Sequence, residues 1–192
     1  MKVYIDITLL PGVDVGLHFL WEKLYQQIHL ALVEVKDVNG TTPIAVAFPE
    51  YNSDNLNLGK KLRLLAESQT QLEMLDIQKW LARLSDYLHI TKVREVPENV
   101  LAYACFKRMQ GKSNIERLAR RKSRREGIDE AEALQKLASF KEERINAPFI
   151  KIQSLSSGHR FRLFIVRDTI EKAVVGRFSL YGLSSKATVP LF

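Results

Sequence analysis

The sequence predicts an α+β protein: an N-terminal ferredoxin-like βαββαβ domain, followed by a basic α+β C-terminal domain built around an Arg-rich helix. Three observations carry this. Strand-period and helix-period hydrophobic patterns follow one another in the order strand, helix, strand, strand, helix, strand over the first hundred residues. Charge is split along the chain: residues 1–99 hold 10 Lys and Arg against 13 Asp and Glu, whereas residues 100–192 hold 19 against 9. The whole net charge of +7 therefore belongs to the second half. Finally, "ERLARRKSRRE" at 116–126 packs Arg117, Arg120, Arg121, Lys122, Arg124 and Arg125 into one short segment.

The first strand is "KVYIDITLL", with Val3, Ile5, Ile7 and Leu9 on one face. Past Pro11 and Gly12, Leu17, Leu20, Trp21, Leu24, Ile28, Ala31, Leu32 and Val35 recur at three- and four-residue steps, which is an amphipathic helix. Asn39-Gly40 marks a turn, "TPIAVAF" a second strand and "NSDNLNLG" a polar connection. "KKLRLLAES" reads as a third strand and "TQLEMLDIQKWLARLSDY" as a second helix presenting Leu72, Leu75, Trp80, Leu81 and Leu84. "HITKVREV" closes the set as a fourth strand before Pro97, which places one domain over 1–97 and the next over 98–192. In the second half, "NVLAYACFKRM" is a strand and "KSNIERLARRKSRREG" a helix. Ser113 and Glu116 stand there in capping-box spacing, with Gly127 as the stop. "DEAEALQKLASFKEERI" is a further helix, and "FIKIQSL", "HRFRLFIVRD" and "GRFSLYGL" are three strands.

Composition excludes several classes. No apolar stretch approaches the roughly 18 residues of a membrane-spanning helix. Asp6, Asp14 and Glu22 interrupt any secretory signal. Cys105 is the sole cysteine, so no internal disulfide forms and a cytoplasmic setting is expected. The four histidines show no metal-ligand spacing, so neither a metal nor any other cofactor is expected.

The one-sided charge calls for a polyanion. At about 100° per residue, Arg117, Arg120, Arg121 and Arg124 share an arc, with Arg125 at its border and Ile115, Leu118 and Ala119 turned away. A solvated face usually mixes signs, and Glu116 is the only acid among these residues. Nucleic acid fits better than a membrane surface, because few apolar residues flank the run. Two helices around Gly127 also resemble a helix-turn-helix, so a DNA-binding regulator competes with an RNA binder. An unbroken Arg face suits phosphates more than base edges, and an A-form groove admits such a helix only where a hairpin end or loop opens it.

"QSLSSGHRFRLFI", 153–165, has two readings. Phe161 between Arg160 and Arg162 could stack a base while the cations hold phosphates. Equally, the stretch is a β-hairpin with a Ser/Gly turn, in which Phe161, Leu163 or Phe164 is core. His29, with His18 and Tyr25, sits at the edge of the first helix's apolar stripe. An edge histidine is usually structural, but RNA carries its own nucleophile, the 2′-hydroxyl. A neutral imidazole is the side chain suited to deprotonate it.

Taken together, His29, "CFKRMQGKSNIERLARRKSRRE", "SLSSGHRFRLFI" and "FSLYGLSS" with the terminal "VPLF" resemble the type I-F CRISPR repeat-processing endoribonuclease family, over nearly the whole chain and most weakly between about 50 and 100. The resemblance implies a metal-independent enzyme that binds the CRISPR repeat stem-loop. Such an enzyme cuts precursor CRISPR RNA at the 3′ base of the stem by 2′-hydroxyl attack, leaves a 2′,3′-cyclic phosphate and a 5′-hydroxyl, and stays bound to the guide RNA. It also implies membership of the CRISPR surveillance complex. By the same resemblance His29 is the general base, Ser154 positions the 2′-hydroxyl and Tyr181 orients the histidine. Arg108 and Gln110 read base edges, Phe161 stacks on the terminal base pair, and Arg121, Arg124 and Arg125 line the groove. Arg120 and Ser156 join them as candidate RNA contacts, and Arg117 and His159, for which the resemblance implies no role, as candidate phosphate contacts only. A non-catalytic RNA-binding subunit is the other alternative.

Overall fold

The computed structural model describes residues 1–110, 115–137, 145–154 and 157–192, with backbone only at Glu116 and Arg117. By packing, the chain forms two compact units, Met1–Arg108 with Ala147–Phe192, and Met109–Asn146. The 97/98 boundary expected from the sequence falls between two sheets, but it does not divide the units. The strands on both sides of it contribute to one continuous apolar core, and the chain leaves that core only after Arg108 and rejoins it at Ala147.

In the larger unit, β1 (Val3–Leu9), β2 (Ala45–Ala47), β3 (Lys61–Ala66) and β4 (Leu88–Ile90) form an antiparallel sheet in the order β2-β3-β1-β4, and β5 (Arg94–Glu95) adds to β1. This is the expected ferredoxin-like arrangement. Period two in β1 sends Ile5, Ile7 and Leu9 to one face. There they meet Leu20, Leu24, Ile28 and Leu32 of α1 (Leu17–Glu34). Each such side chain contributes about 1.5–3 kcal/mol by leaving water. The second sheet has the order β7-β8-β6-β9, from β6 (Ala102–Met109), β7 (Phe149–Gln153), β8 (Arg160–Ile170) and β9 (Val189–Leu191). Its Ile150, Ile152, Leu163 and Ile165 join the same core.

On the other face of β1, Asp6 lies directly opposite Arg63 of β3. The guanidinium donates twice to the carboxylate, at 2.7 and 3.0 Å, and a third time to the Phe192 carbonyl at 3.2 Å. The rings of Tyr4 and Phe192 flank it, with centroids 4.5 and 3.9 Å away. Both charged groups are buried, and the bidentate geometry offsets their desolvation. The pair fastens the end of the chain to the first sheet.

Three expected elements differ. The long second helix is α2 (Gln69–Met74), α3 (Ile77–Leu81) and a 3₁₀ turn over Ala82–Tyr87. It breaks at Asp76, whose left-handed φ of 45° lets Leu72 and Leu75 as well as Ile77 and Leu81 reach the core. "HITKVREV" splits into β4 and β5 because Thr91 turns aside, its Oγ1 accepting from the Asp6 N–H at 3.0 Å. "GRFSLYGL" is no strand: only Phe178 pairs, with Thr42, and a tight turn follows. The strand of this region is instead the terminal β9, paired with β6 from Ala102↔Leu191 to Ala104↔Val189.

The smaller unit contains α4 (Ile115–Glu126) and α5 (Glu130–Gln135), which pack together. Gly127, at φ 65°, ends α4, and the Ser123 hydroxyl donates to the Ile128 carbonyl at 2.7 Å. Asp129 caps α5 by accepting from Ala131 N–H at 3.1 Å. The further course expected for the second helix, 138–144, and the Ser113–Glu116 capping box lie outside the described residues. No described helix is long and apolar enough to cross a membrane.

The connection after α1 is held by Asp37. Its carboxylate accepts from Asn39 N–H, Thr41 N–H and Thr41 Oγ1, at 3.0, 2.8 and 2.7 Å, and from Arg177 at 2.6 Å. Hydrogen bonds from Thr41, then Arg177, lower its pKa from 3.8 to about 2. A depressed carboxylate stabilises the fold fully above its unfolded pKa, and that stabilisation disappears as pH falls through the folded value. Asp37→Asn is therefore expected to lower Tm at pH 7, with the gap from wild type narrowing below about pH 4 and closing near pH 2. Thermal melts of both proteins across this range check it; equal Tm at pH 7 would contradict it.

Candidate functional site

The edge position of His29 on α1 leaves its ring half-buried. Its Nδ1 lies 2.8 Å from the Leu180 carbonyl oxygen, and its ring stacks on Tyr181 with centroids 4.3 Å apart and planes 11° from parallel. A carbonyl oxygen only accepts, so Nδ1 carries the proton and the neutral ring has its lone pair on Nε2. The imidazole is thus fixed in orientation and tautomer by one backbone atom and one ring.

Both come from the turn at Ser179–Leu183. The Gly182 N–H donates to the Ser179 carbonyl at 2.7 Å, and Ser179 N–H to the Leu183 carbonyl at 2.9 Å. Val46 N–H of β2 donates to the Gly182 carbonyl at 2.8 Å. The Tyr25 hydroxyl, one helical turn before His29, donates to the Tyr181 carbonyl at 2.8 Å. Tyr25 is fully buried rather than at the edge of the stripe. Burial, and then Tyr181, pushes its phenol well above the usual range, so it remains a donor. Successive carbonyls of the turn therefore face residues 25 and 29, which the helical repeat places side by side.

Arg108, exposed on β6, lies 5.7 Å from the Tyr181 ring centroid and 5.0 Å from that of Phe161 on β8. The structure thereby lines up His29, Tyr181, Arg108 and Phe161. "FIKIQSL" and "HRFRLFIVRD" do form a hairpin, β7-β8. Leu163 is core, whereas Phe161 is half-buried at its edge. Ser154 opens the connection: its N–H donates to the His159 carbonyl at 2.8 Å, its carbonyl accepts from Gly158 N–H at 2.8 Å, and its Oγ accepts from Ser157 N–H at 3.4 Å. His18 and His159 are exposed. Ser156 lies outside the described residues.

Four supports of this site escaped the sequence reading. Leu180 acts through its backbone, which no side-chain pattern reveals. Tyr25 was seen but misplaced. Gly182 stands in "LYGL", whose composition reads as strand, but its φ of 70° makes a turn. Gln26, three residues before His29, accepts from Gln153 N–H at 3.1 Å and so ties the strand leading into Ser154 to the helix bearing His29. Its Nε2 is buried with no partner among the described residues. A glutamine near a helix edge carries no local signal of such a contact.

In the smaller unit, Ala119 is buried and Ile115 and Leu118 half-buried, while Arg120, Arg121, Arg124 and Arg125 are exposed, as the helical wheel requires. The side chain of Arg117 is outside the description. Arg125 pairs with Glu126 at 3.0 Å and lowers that carboxyl. Leu118, Leu137, Arg121, Lys122, Arg124 and Arg125 line an open groove of about 680 Å³. Gln110 is exposed at the start of this unit.

Residues 4–192 match the model of a family described as "CRISPR-associated protein (Cas_Csy4)". Two curated relatives named "CRISPR-associated endonuclease Cas6/Csy4", from Escherichia coli (strain UTI89 / UPEC) and Pseudomonas aeruginosa (strain UCBPP-PA14), are each 35% identical over 193 residues, covering 100% of both chains. A solved structure described as "An RAMP protein binding different RNA substrates" aligns over 98% of this chain and 99% of its own, with a TM-score of 0.33 and 9% identity.

Gly182 has φ 70°, and a Cβ there would stand 2.3 Å from Val46 Cγ2 and 2.9 Å from Val46 N. Gly158 has φ 69° but open space. Gly182→Ala is expected to cost about 1–3 kcal/mol more than Gly158→Ala, which bears backbone strain alone. Urea unfolding of the two variants measures the difference, and equal costs would show that the turn yields freely.

Proposed function

This chain belongs to the Cas_Csy4 family of CRISPR-associated proteins, and from that premise we propose that it is an endonuclease of CRISPR RNA. Its proposed substrate is the repeat stem-loop, cut at the 3′ base of the stem without a metal ion. The observation that carries the reading is the His29–Leu180 hydrogen bond, which leaves Nε2 free to take a proton. In the proposed step Nε2 removes the proton of a 2′-hydroxyl held by Ser154. The 2′-oxygen then attacks the adjacent phosphorus, and the bond from phosphorus to the 5′-oxygen breaks. The leaving 5′-oxygen takes up a proton from water and the imidazolium later returns its own to solvent, giving 2′,3′-cyclic phosphate and 5′-hydroxyl ends and a neutral His29. Tyr181, stacked on the imidazole, keeps the lone pair aimed.

Binding falls to the cations. The exposed Arg120, Arg121, Arg124 and Arg125, together with Arg117, face the stem's phosphates, where each neutralised phosphate releases counterions. Arg108 and Gln110 read base edges at the foot of the stem, Phe161 stacks on its last pair, and Ser156 adds a contact. Arg108 now lies over the Phe161 ring, so both roles are met if its guanidinium moves to base edges as the pair arrives. The same grip would hold the cut guide and make the protein a subunit of a surveillance complex. A helix-turn-helix regulator is the weaker reading, because α5 begins with Asp129, Glu130 and Glu132, which phosphates would repel.

His29→Ala is expected to slow cleavage of labelled repeat RNA in EDTA by about 10²- to 10⁴-fold while hairpin affinity stays within a few-fold. Full activity of that variant would remove the mechanism, and a wild-type protein that binds without cutting would make the chain a binding subunit. Arg124→Ala is expected to weaken binding and to reduce the salt slope of log K by about 1. Unchanged affinity in titrations across salt would reduce the Arg face to bare surface.

A further inference from the structure

The β7-β8 hairpin carries a cationic strip on the face turned away from the core. Ile150, Ile152, Leu163 and Ile165 point inward, so the period of two sends Phe149, Lys151 and Gln153 of β7 and Arg160, Arg162 and Phe164 of β8 to the opposite face. There Gln153 pairs with Arg160, Lys151 with Arg162 and Phe149 with Phe164. Like charges directly opposite one another in an antiparallel pair destabilise it. Lys151 and Arg162 are both exposed, and neither they nor Arg160 form an ion pair among the described residues. Arg162 lies instead over the Phe149 ring, 5.0 Å from its centroid, and that ring packs on Phe164 at 5.4 Å. The next acid along this face of β8 is Asp168, which is already paired with Lys107. The fold gains nothing from opposed cations, whereas a phosphodiester chain laid along the strip would neutralise them.

We propose that the outer face of the β7-β8 hairpin binds RNA phosphates next to the cut. The inference rests on the RNA-binding part of the reading above. The Gln153–Arg160 pair closes the connection on which Ser154 stands, and Lys151 is three residues, about 10 Å, before Ser154 along an extended strand. The way between them is open: Ser157, Gly158, His159 and Arg160 at the end of the hairpin are all exposed, as is Gln153. RNA held at Ser154 therefore meets His159 and Arg160 as it rounds that end and reaches Lys151 and Arg162 beyond. Both rings on this face are half-buried and Phe149 is covered by Arg162, so the contacts are to phosphates and read no base. The stem and the strands flanking it carry the same phosphates, and the RNAs in the test separate them.

Lys151→Glu divides stability from binding. It sets a carboxylate opposite Arg162, so Tm is expected to rise by about 1–4 °C. RNA affinity is expected to fall at least about threefold and the salt slope of log K by about 1 to 2, because one cation is lost and its neighbour is occupied. A loss of affinity in a protein that melts higher cannot come from misfolding. Melts and titrations across salt are run in EDTA on the full chain with His29→Ala, which keeps the RNA intact. The RNAs are a repeat stem-loop without flanks and the same stem-loop with unpaired 5′ and 3′ extensions. A loss with both assigns the strip to the stem and a loss with the extended RNA alone assigns it to a flank; either supports the proposal. Unchanged affinity and slope with both would overturn it and leave the strip to an acidic protein partner. A Tm that fails to rise would overturn the repulsion on which it stands. Wild-type protein that binds the RNA without cutting it would sink the endonuclease reading alone, since affinity and slope need no cleavage.

Discussion

In the proposed reaction His29 is a useful base only if its free nitrogen faces the proton it must take, and that depends on a single carbonyl oxygen. Leu180 O fixes the proton of His29 on Nδ1. The carbonyl belongs to a closely packed turn: Gly182 lies against Val46 with no room for a Cβ, and Tyr25 holds the neighbouring carbonyl from inside the core. Without the turn, His29 would be an ordinary residue at a helix edge, free to rotate and to exchange tautomers. The histidine's chemistry is thus set by residues about 150 positions later in the chain.

The two sheets share one core, and both α1 and the turn pack on it. The turn belongs to the C-terminal segment and His29 to the ferredoxin-like part, so their alignment must survive thermal motion across the sheet boundary. Three attachments act on it. Asp37 and Arg177 pin the start of the segment, the Thr42–Phe178 pairing continues it, and Arg63 grips its end at Phe192. Gln26 fastens the other arm of the site, the strand that leads to Ser154. Each attachment is modest alone, but together they restrict the segments around the imidazole. Preorganisation of this kind would remove reorganisation cost from the proposed reacting step.

The elements with strong hydrophobic period were legible in the sequence: β1, α1, β3, β6, the β7-β8 hairpin and the Arg face of α4. Each is dictated by local alternation that burial then enforces. What was illegible depended on tertiary competition. The second helix looked continuous because its leucines keep helical spacing, but a straight helix cannot turn all of them inward, and Asp76 breaks it. "GRFSLYGL" has strand composition, yet Gly182 needs a left-handed backbone and β9 takes the place beside β6. The role expected of His29 comes from the family resemblance and not from its helix-edge position, whereas the contacts of Leu180 and Gln26 depend on position alone.

The division into two units has a mechanical consequence for specificity. Phosphate contacts of the kind proposed for α4 are insensitive to sequence, so a grip made by arginines alone would hold any stem. Sequence must be read where a guanidinium meets a base edge, and Arg108 stands at the last residue of the larger unit, just before the chain passes into the smaller one. Its present contacts are ring faces, which it can leave without stranding a buried charge, because it is exposed. An arginine buried like Arg63 could not make that exchange, since removing its carboxylate partner would leave two unpaired charges. The chain thus has a fully paired arginine at Arg63 and a loosely stacked one at Arg108, where the proposed recognition requires movement.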